Sequence, residues 1–313
     1  MTRLVVLLTL LLTICISGSS AFIRHHQTGV GCPERAGCAL RVAVAPGQAA
    51  GAPGQLADPP AEVRVARLMH RVSAMAVGLL AGAIALVGWS GLRGSERVAA
   101  VLALLVTGAL AWLGRYTPHD LPLVTLGNVL GGFVLAGAFA WIVAPARRAL
   151  EPPAAARLLG LLGAALLLAA LQASLGVMIS VRQAVDACAA LVCLPDGIID
   201  WRMFDPLVAH PPDSPSAGRL LHLAHRMSAL ALVAVCLLVV TRARTTALRG
   251  ASLALIALLL VQMLLGLSAA LGLQPLAAAT AHNMVAAALI GLLALMAAGT
   301  VKSAPWAGRT RPS

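Results

Sequence analysis

The chain has 313 residues, 60% of them hydrophobic and only 11% charged, with 23 Lys and Arg against 11 Asp and Glu. That apolar share exceeds the roughly half found in soluble domains, which argues against a water-soluble enzyme, a disordered chain or a secreted disulfide scaffold. The net charge of +12 does not point to nucleic acid either, because the basic residues stand singly or in pairs between apolar runs, as in the loops of a membrane protein.

Eight runs approach the ~20 residues that a helix needs to cross the hydrocarbon core. They cover residues 4–22, 66–88, 98–113, 123–143, 158–180, 219–240, 251–271 and 277–301. Continuous apolar helices satisfy their own backbone in lipid, so the expected fold is an all-α integral membrane protein, not a barrel. With the amino terminus inside, twelve basic residues and two acidic ones (Glu96 and Glu151) collect on the inner side, which sets both termini in the cytoplasm. The first run, with Arg3 before it and Gly18-Ser19-Ser20-Ala21 at its end, also has the layout of a cleaved signal peptide. Its retention as a span is the expectation. Two long connections, 23–65 and 181–218, then lie outside, and the Gly, Ala and Pro of residues 45–60 suit a flexible loop.

Of the six cysteines, Cys15 and Cys236 fall within spans as small apolar side chains. Cys32 with Cys38, and Cys188 with Cys193, form one close pair in each outer connection. An oxidising exterior favours disulfides there, and neither pair is a C-x-x-C. Loop stapling and a redox role both remain open.

The most informative feature is an internal repeat. Leu68-Met69-His70-Arg71-Val72-Ser73-Ala74 matches Leu223-Ala224-His225-Arg226-Met227-Ser228-Ala229, with an offset of 155 residues between His70 and His225. The same offset lays Gly127-Asn128 over His282-Asn283. The chain therefore reads as two pseudo-symmetric four-helix bundles, residues 1–144 and 158–313, joined by a cytoplasmic linker, 145–157.

Histidine within a membrane helix is costly without a partner, so His70, His225 and His282 are functional candidates. His225 and His282 sit at similar depth on separate helices, an arrangement able to supply both axial ligands of a haem within a bundle. Zinc fits less well, because no carboxylate or thiolate joins them. Arg71 and Arg226 follow their histidines at the outer boundary, where they either snorkel to the interface or pair with haem propionates. His25, His26, His119, His210 and His222 are assigned solvated or interfacial roles.

The segment Arg24-His25-His26, continuing through Gly29-Val30-Gly31-Cys32-Pro33 to Cys38, adds to both His-Arg motifs, the later cysteine pair and His282-Asn283. In this order and spacing they resemble the haem A synthase family, the CtaA and Cox15 proteins, over nearly the whole chain. The resemblance implies eight transmembrane helices in two related halves and oxidation of a methyl group of haem O to the formyl group of haem A. It implies haem b on His225 and His282, substrate haem beside His70, and a redox or structural role for Cys32 and Cys38. Haem O synthase and cytochrome oxidase subunits are the implied partners, in a bacterial inner membrane. Two positions depart from the family: Arg67 stands where a glutamate precedes the first His-Arg motif, and Gly127 stands at the second histidine of the first half. Arginine cannot serve as the acid or base that glutamate would provide. The departures leave two alternatives beside the enzyme, a non-catalytic haem-binding assembly factor and a b-type electron-transfer cytochrome.

Overall fold

The computed structural model describes residues 2–27, 60–116, 121–145, 150–188, 190, 192–209, 211–244, 246–271, 273 and 275–303. The candidates Cys32, Cys38, His119 and His210 and the stretch 45–59 lie outside the described residues. Eight helices carry the fold: α1 (Thr2–Gln27), α2 (Ala61–Leu86), α3 (Gly94–Tyr116), α4 (Pro122–Val143), α5 (Pro152–Val181), α6 (Pro215–Ala243), α7 (Arg249–Ala270) and α8 (Pro275–Ser303). Each is long and apolar enough to cross a membrane, and no strand occurs among the described residues. The chain is a multi-pass, all-α membrane protein.

Every apolar run of the sequence is found as a helix, but α1, α3, α5, α6 and α8 extend past theirs at both ends. Hydropathy registers the lipid-immersed length alone, whereas the backbone continues to wind through the polar boundary. Proline opens α4, α5, α6 and α8, where its missing N–H has no intrahelical acceptor to lose. Basic residues fill the last turns of α1 (Arg24, His25, His26), α6 (Arg242) and α8 (Lys302), where the helix dipole and unpaired carbonyls favour positive charge.

Helices α1 to α4 pack in a closed order, α1 on α2, α2 on α3, α3 on α4 and α4 on α1; α5 to α8 pack in the same order. The seam between the two sets is made by α1 and α4 against α8 and by α4 against α5. Helix α8 is the most enclosed, with 56% of its apolar window buried against 11% for α7. Small residues permit that approach: a Cβ on Gly137 would lie 3.6 Å from Ala294, and one on Gly291 would lie 3.8 Å from the Ala136 carbonyl. Phe139, Leu293 and Met296 fill the space around them. Outward, Leu79 and Leu167 are 78% and 75% exposed, as lipid-facing side chains are. Buried Thr9, Thr13 and Thr300 each donate to the carbonyl four residues back, which satisfies these three hydroxyls within their own helices.

Where α8 ends, Lys302 crosses to α3 and α4. Its ammonium pairs with Glu96 at 2.6 Å and donates to the carbonyls of Trp141 (2.8 Å), Ile142 (3.4 Å) and Ala144 (2.9 Å). One cation thus closes the C-terminus of α4 and ties α3, α4 and α8 together at this end.

Candidate functional site

The opposite end of the bundle carries the histidines. His225 lies three turns into α6, and its Nδ1 is 3.1 Å from the main-chain carbonyl of Gln172 on α5. That carbonyl requires the proton on Nδ1, so Nε2 presents its lone pair. The Gln172 side-chain amide donates to this Nε2 at 3.0 Å. The hydroxyl of Ser228, one turn further along α6, donates to Gln172 Oε1 and so turns the amide nitrogen toward the ring.

His282 on α8 has a corresponding setting, supplied by α7. The amide of Gln262 meets its Nε2 at 3.0 Å. Its Nδ1 is buried without a hydrogen-bond partner within ordinary limits. Each glutamine is followed four residues later by a glycine packed on the same ring. A Cβ on Gly176 would come 3.1 Å from His225 Cε1, and one on Gly266 would come 3.4 Å from His282 Cε1. The imidazole of His225 lies within electrostatic reach of His282, so the two candidates share one region of the bundle. No group of three or more His, Cys, Asp or Glu suited to a metal ion exists among the described residues. A haem does not need one, since the porphyrin supplies four donors and the protein only the axial pair.

His70 is placed differently. It reaches from α2 to α1, with Nδ1 3.4 Å from Ser19 Oγ, whose hydroxyl lies 3.0 Å from the Ile16 carbonyl. Across the first four helices, Gly127 is covered by α3: a Cβ there would lie 2.7 Å from Leu113, and one on Gly131 would lie 2.6 Å from Leu110. Leucine side chains therefore fill the space that a second histidine in this half would need. Arg67 is half-buried and Arg71 is exposed.

The two sets meet near the site through α1 and α8. Arg24 Nη2 donates to Asn283 Oδ1 at 3.0 Å, and Asn283 Nδ2 contacts His25 Nε2 at 3.4 Å, one residue from His282. His25 is buried, not interfacial, so its sequence assignment as a solvated side chain is corrected. Gly18 lets α1 approach α8 closely, since a Cβ there would run into Met284, and the approach sets His25 against Asn283.

Over α5 and α6 the connection 182–214 is held by Arg182, which donates to the carbonyls of Met203 (3.0 Å), Ala209 (3.1 Å) and Asp205 (2.5 Å). Burial pulls this guanidinium below its ordinary range, and the Asp205 charge opposes the shift. Nearby, the bonds from Arg202 hold the Asp200 carboxyl below the usual range. His222 Nε2 meets the Ala184 carbonyl at 2.8 Å, a structural anchor for this connection. Cys188 and Cys193 are joined in a disulfide. Within that small ring the carbonyl of Ala190 accepts from Arg226 Nη1 at 2.6 Å, so the bridge presents an acceptor to the residue after His225. In non-reducing conditions neither thiol is expected to take an alkylating reagent, and the Cys188→Ser/Cys193→Ser variant is expected to lose about 2 kcal/mol of stability from loop-closure entropy. Mass shift on alkylation and thermal unfolding in detergent measure the two effects.

A model of the COX15-CtaA family, described as cytochrome oxidase assembly protein, matches residues 3–294. The chain belongs to that family. Its sequence is also 27% identical over 304 residues to a protein of Shewanella oneidensis named Heme A synthase, covering 90% of this chain and 92% of that relative. The family match takes in both His-Arg motifs, both glutamine and glycine pairs and His282. The sequence reading did not single out Gln172, Gly176, Gln262 and Gly266, which the structure places on the two rings. The signal was present, since Gln-x-x-x-Gly occurs once in α5 and once in α7. Four residues make one turn, so each motif sets an amide and a bare backbone on a single helix face.

Proposed function

We propose that the chain is an oxidoreductase of the haem A synthase type, converting the haem O methyl group to the formyl group of haem A for cytochrome oxidase assembly. The observation that carries this reading is the pair of imidazoles on α6 and α8, each with Nε2 met by a glutamine amide of the flanking helix and each ring seated against a glycine of that helix. The donor set suits a bis-histidine haem b. Neutral imidazole is a strong haem ligand, and at His225 the hydrogen bond from Nδ1 to the Gln172 carbonyl fixes its tautomer and raises its basicity. When bound, such a haem supplies one-electron transfer. The chain's residues orient the rings and span the membrane with both termini on the cytoplasmic side. The substrate haem belongs beside His70, with Arg71 at its polar edge, in a bacterial inner membrane; Arg226 contacts a propionate of haem b.

A second reading is favoured by Gly127 under Leu113 and by Arg67: a haem-binding assembly factor whose first half no longer catalyses. Co-expression with a haem O synthase, followed by haem extraction and chromatography, separates the two. Haem A in the extract is the expected result. Bound haem b with unconverted haem O would establish the assembly factor, and rapid reduction by quinol without either would favour a b-type cytochrome.

A further inference from the structure

The geometry points to Gln172 and Gln262 as positioning residues for the two axial imidazoles, each holding its histidine in the Nδ1–H tautomer while its amide competes with iron for the same Nε2 lone pair. The inference rests on the haem reading above and deepens it. A nitrogen lone pair that accepts from an amide cannot at once bind a metal, so the 3.0 Å contacts at His225 and His282 and iron ligation are mutually exclusive. The backbone half of Gln172 does the opposite work. Its carbonyl accepts from His225 Nδ1, which leaves Nε2 unprotonated in advance.

Three observations tie the glutamines to ligation. First, the arrangement occurs at both histidines, from two different helices, with a glycine four residues on in contact with the ring each time. Second, it is absent where the histidine pair is absent. The 155-residue offset lays Ser17 and Ala21 under Gln172 and Gly176, and Thr107 and Ala111 under Gln262 and Gly266, in the half where Gly127 replaces histidine. Thr107 instead donates to its own helix at Ala103. Third, the two amides are unequally held. Ser228 donates to Gln172 Oε1, whereas Gln262 Oε1 is buried with no hydrogen-bond partner. The amide on His225 is thus the stronger competitor.

The test uses full-length protein purified in detergent from haem-depleted cells. In the metal-free protein, nitrogen-15 NMR of the histidines is expected to show protonated Nδ1 and bare Nε2 for His225 and His282; an Nε2–H tautomer at both would overturn the proposal. Haemin is then titrated into wild type, Gln172→Leu and Gln262→Leu, with Gln172→Met as a variant of nearly unchanged length, and the low-spin Soret band is followed. Removing one amide is expected to tighten haemin binding roughly fivefold, about the worth of one neutral hydrogen bond, with the larger gain at position 172. A merely structural glutamine would weaken binding when replaced. Equal or weaker affinity in correctly folded variants that still give a low-spin spectrum would therefore overturn the competition while leaving the haem assignment standing. If wild type gives no low-spin spectrum, the haem assignment fails, and the NMR result alone decides the tautomer.

Discussion

The His225→Ala and His282→Ala variants are each expected to lose the low-spin bis-imidazole spectrum and to retain at most a weakly held, high-spin haem. The two rings come from separate helices, α6 and α8, and each is fixed by a different neighbour, α5 or α7, so neither variant has a spare imidazole placed to take over. His222 is one turn from His225 but is engaged with the Ala184 carbonyl, and His25 is engaged with Asn283. Loss of partners that merely orient a ligand typically costs 10–100-fold in metal affinity, so loss of the ligand itself is expected to cost at least about 100-fold. Absorbance and electron paramagnetic resonance of purified protein measure this. The His222→Ala and His70→Ala variants serve as comparisons that keep the low-spin signal. An unchanged spectrum in His225→Ala or His282→Ala would remove the axial assignment.

The span count was legible because lipid imposes a one-dimensional rule: about 20 apolar residues in sequence make a crossing wherever they fold. The helix ends were less legible, since proline and charge in the terminal turns obey backbone chemistry, not hydropathy. The histidines of the second half stood out for a related reason, an imidazole being conspicuous among leucines and alanines. Their glutamine neighbours were not conspicuous in the same way. Gln172 is 53 residues from His225 and Gln262 is 20 from His282, so their pairing exists only after α5 packs on α6 and α7 on α8. Gly127 was visible as a departure, but its consequence was not. That Leu113 occupies the space above it is a property of the α3 to α4 register, and restoring histidine there without shortening Leu113 would meet that side chain. His25 illustrates the same limit, because a residue that follows an arginine at a helix end looks solvated until α8 is laid beside it.

Lys302 shows how far a charge can be misread from sequence alone, and it carries the largest expected effect on stability. In the count of positive charges it is one inner-side residue among twelve; in the structure its side chain is 6% exposed and Glu96 is 14% exposed. Removing one member of a buried pair leaves an uncompensated charge, which costs about 3–5 kcal/mol. The Lys302→Met variant strands the Glu96 carboxylate and also strips the carbonyls of Trp141, Ile142 and Ala144 of their donor, so a loss of at least about 3 kcal/mol is expected. Glu96→Gln costs less, because the ammonium keeps those three carbonyls at the negative end of α4. The double variant Glu96→Gln/Lys302→Met is expected to lie between wild type and Lys302→Met, since it buries no charge. Unfolding in mixed micelles measures all four proteins. A Lys302→Met protein within about 0.5 kcal/mol of wild type would mean that the pair is solvated and that α3, α4 and α8 are joined by apolar packing alone.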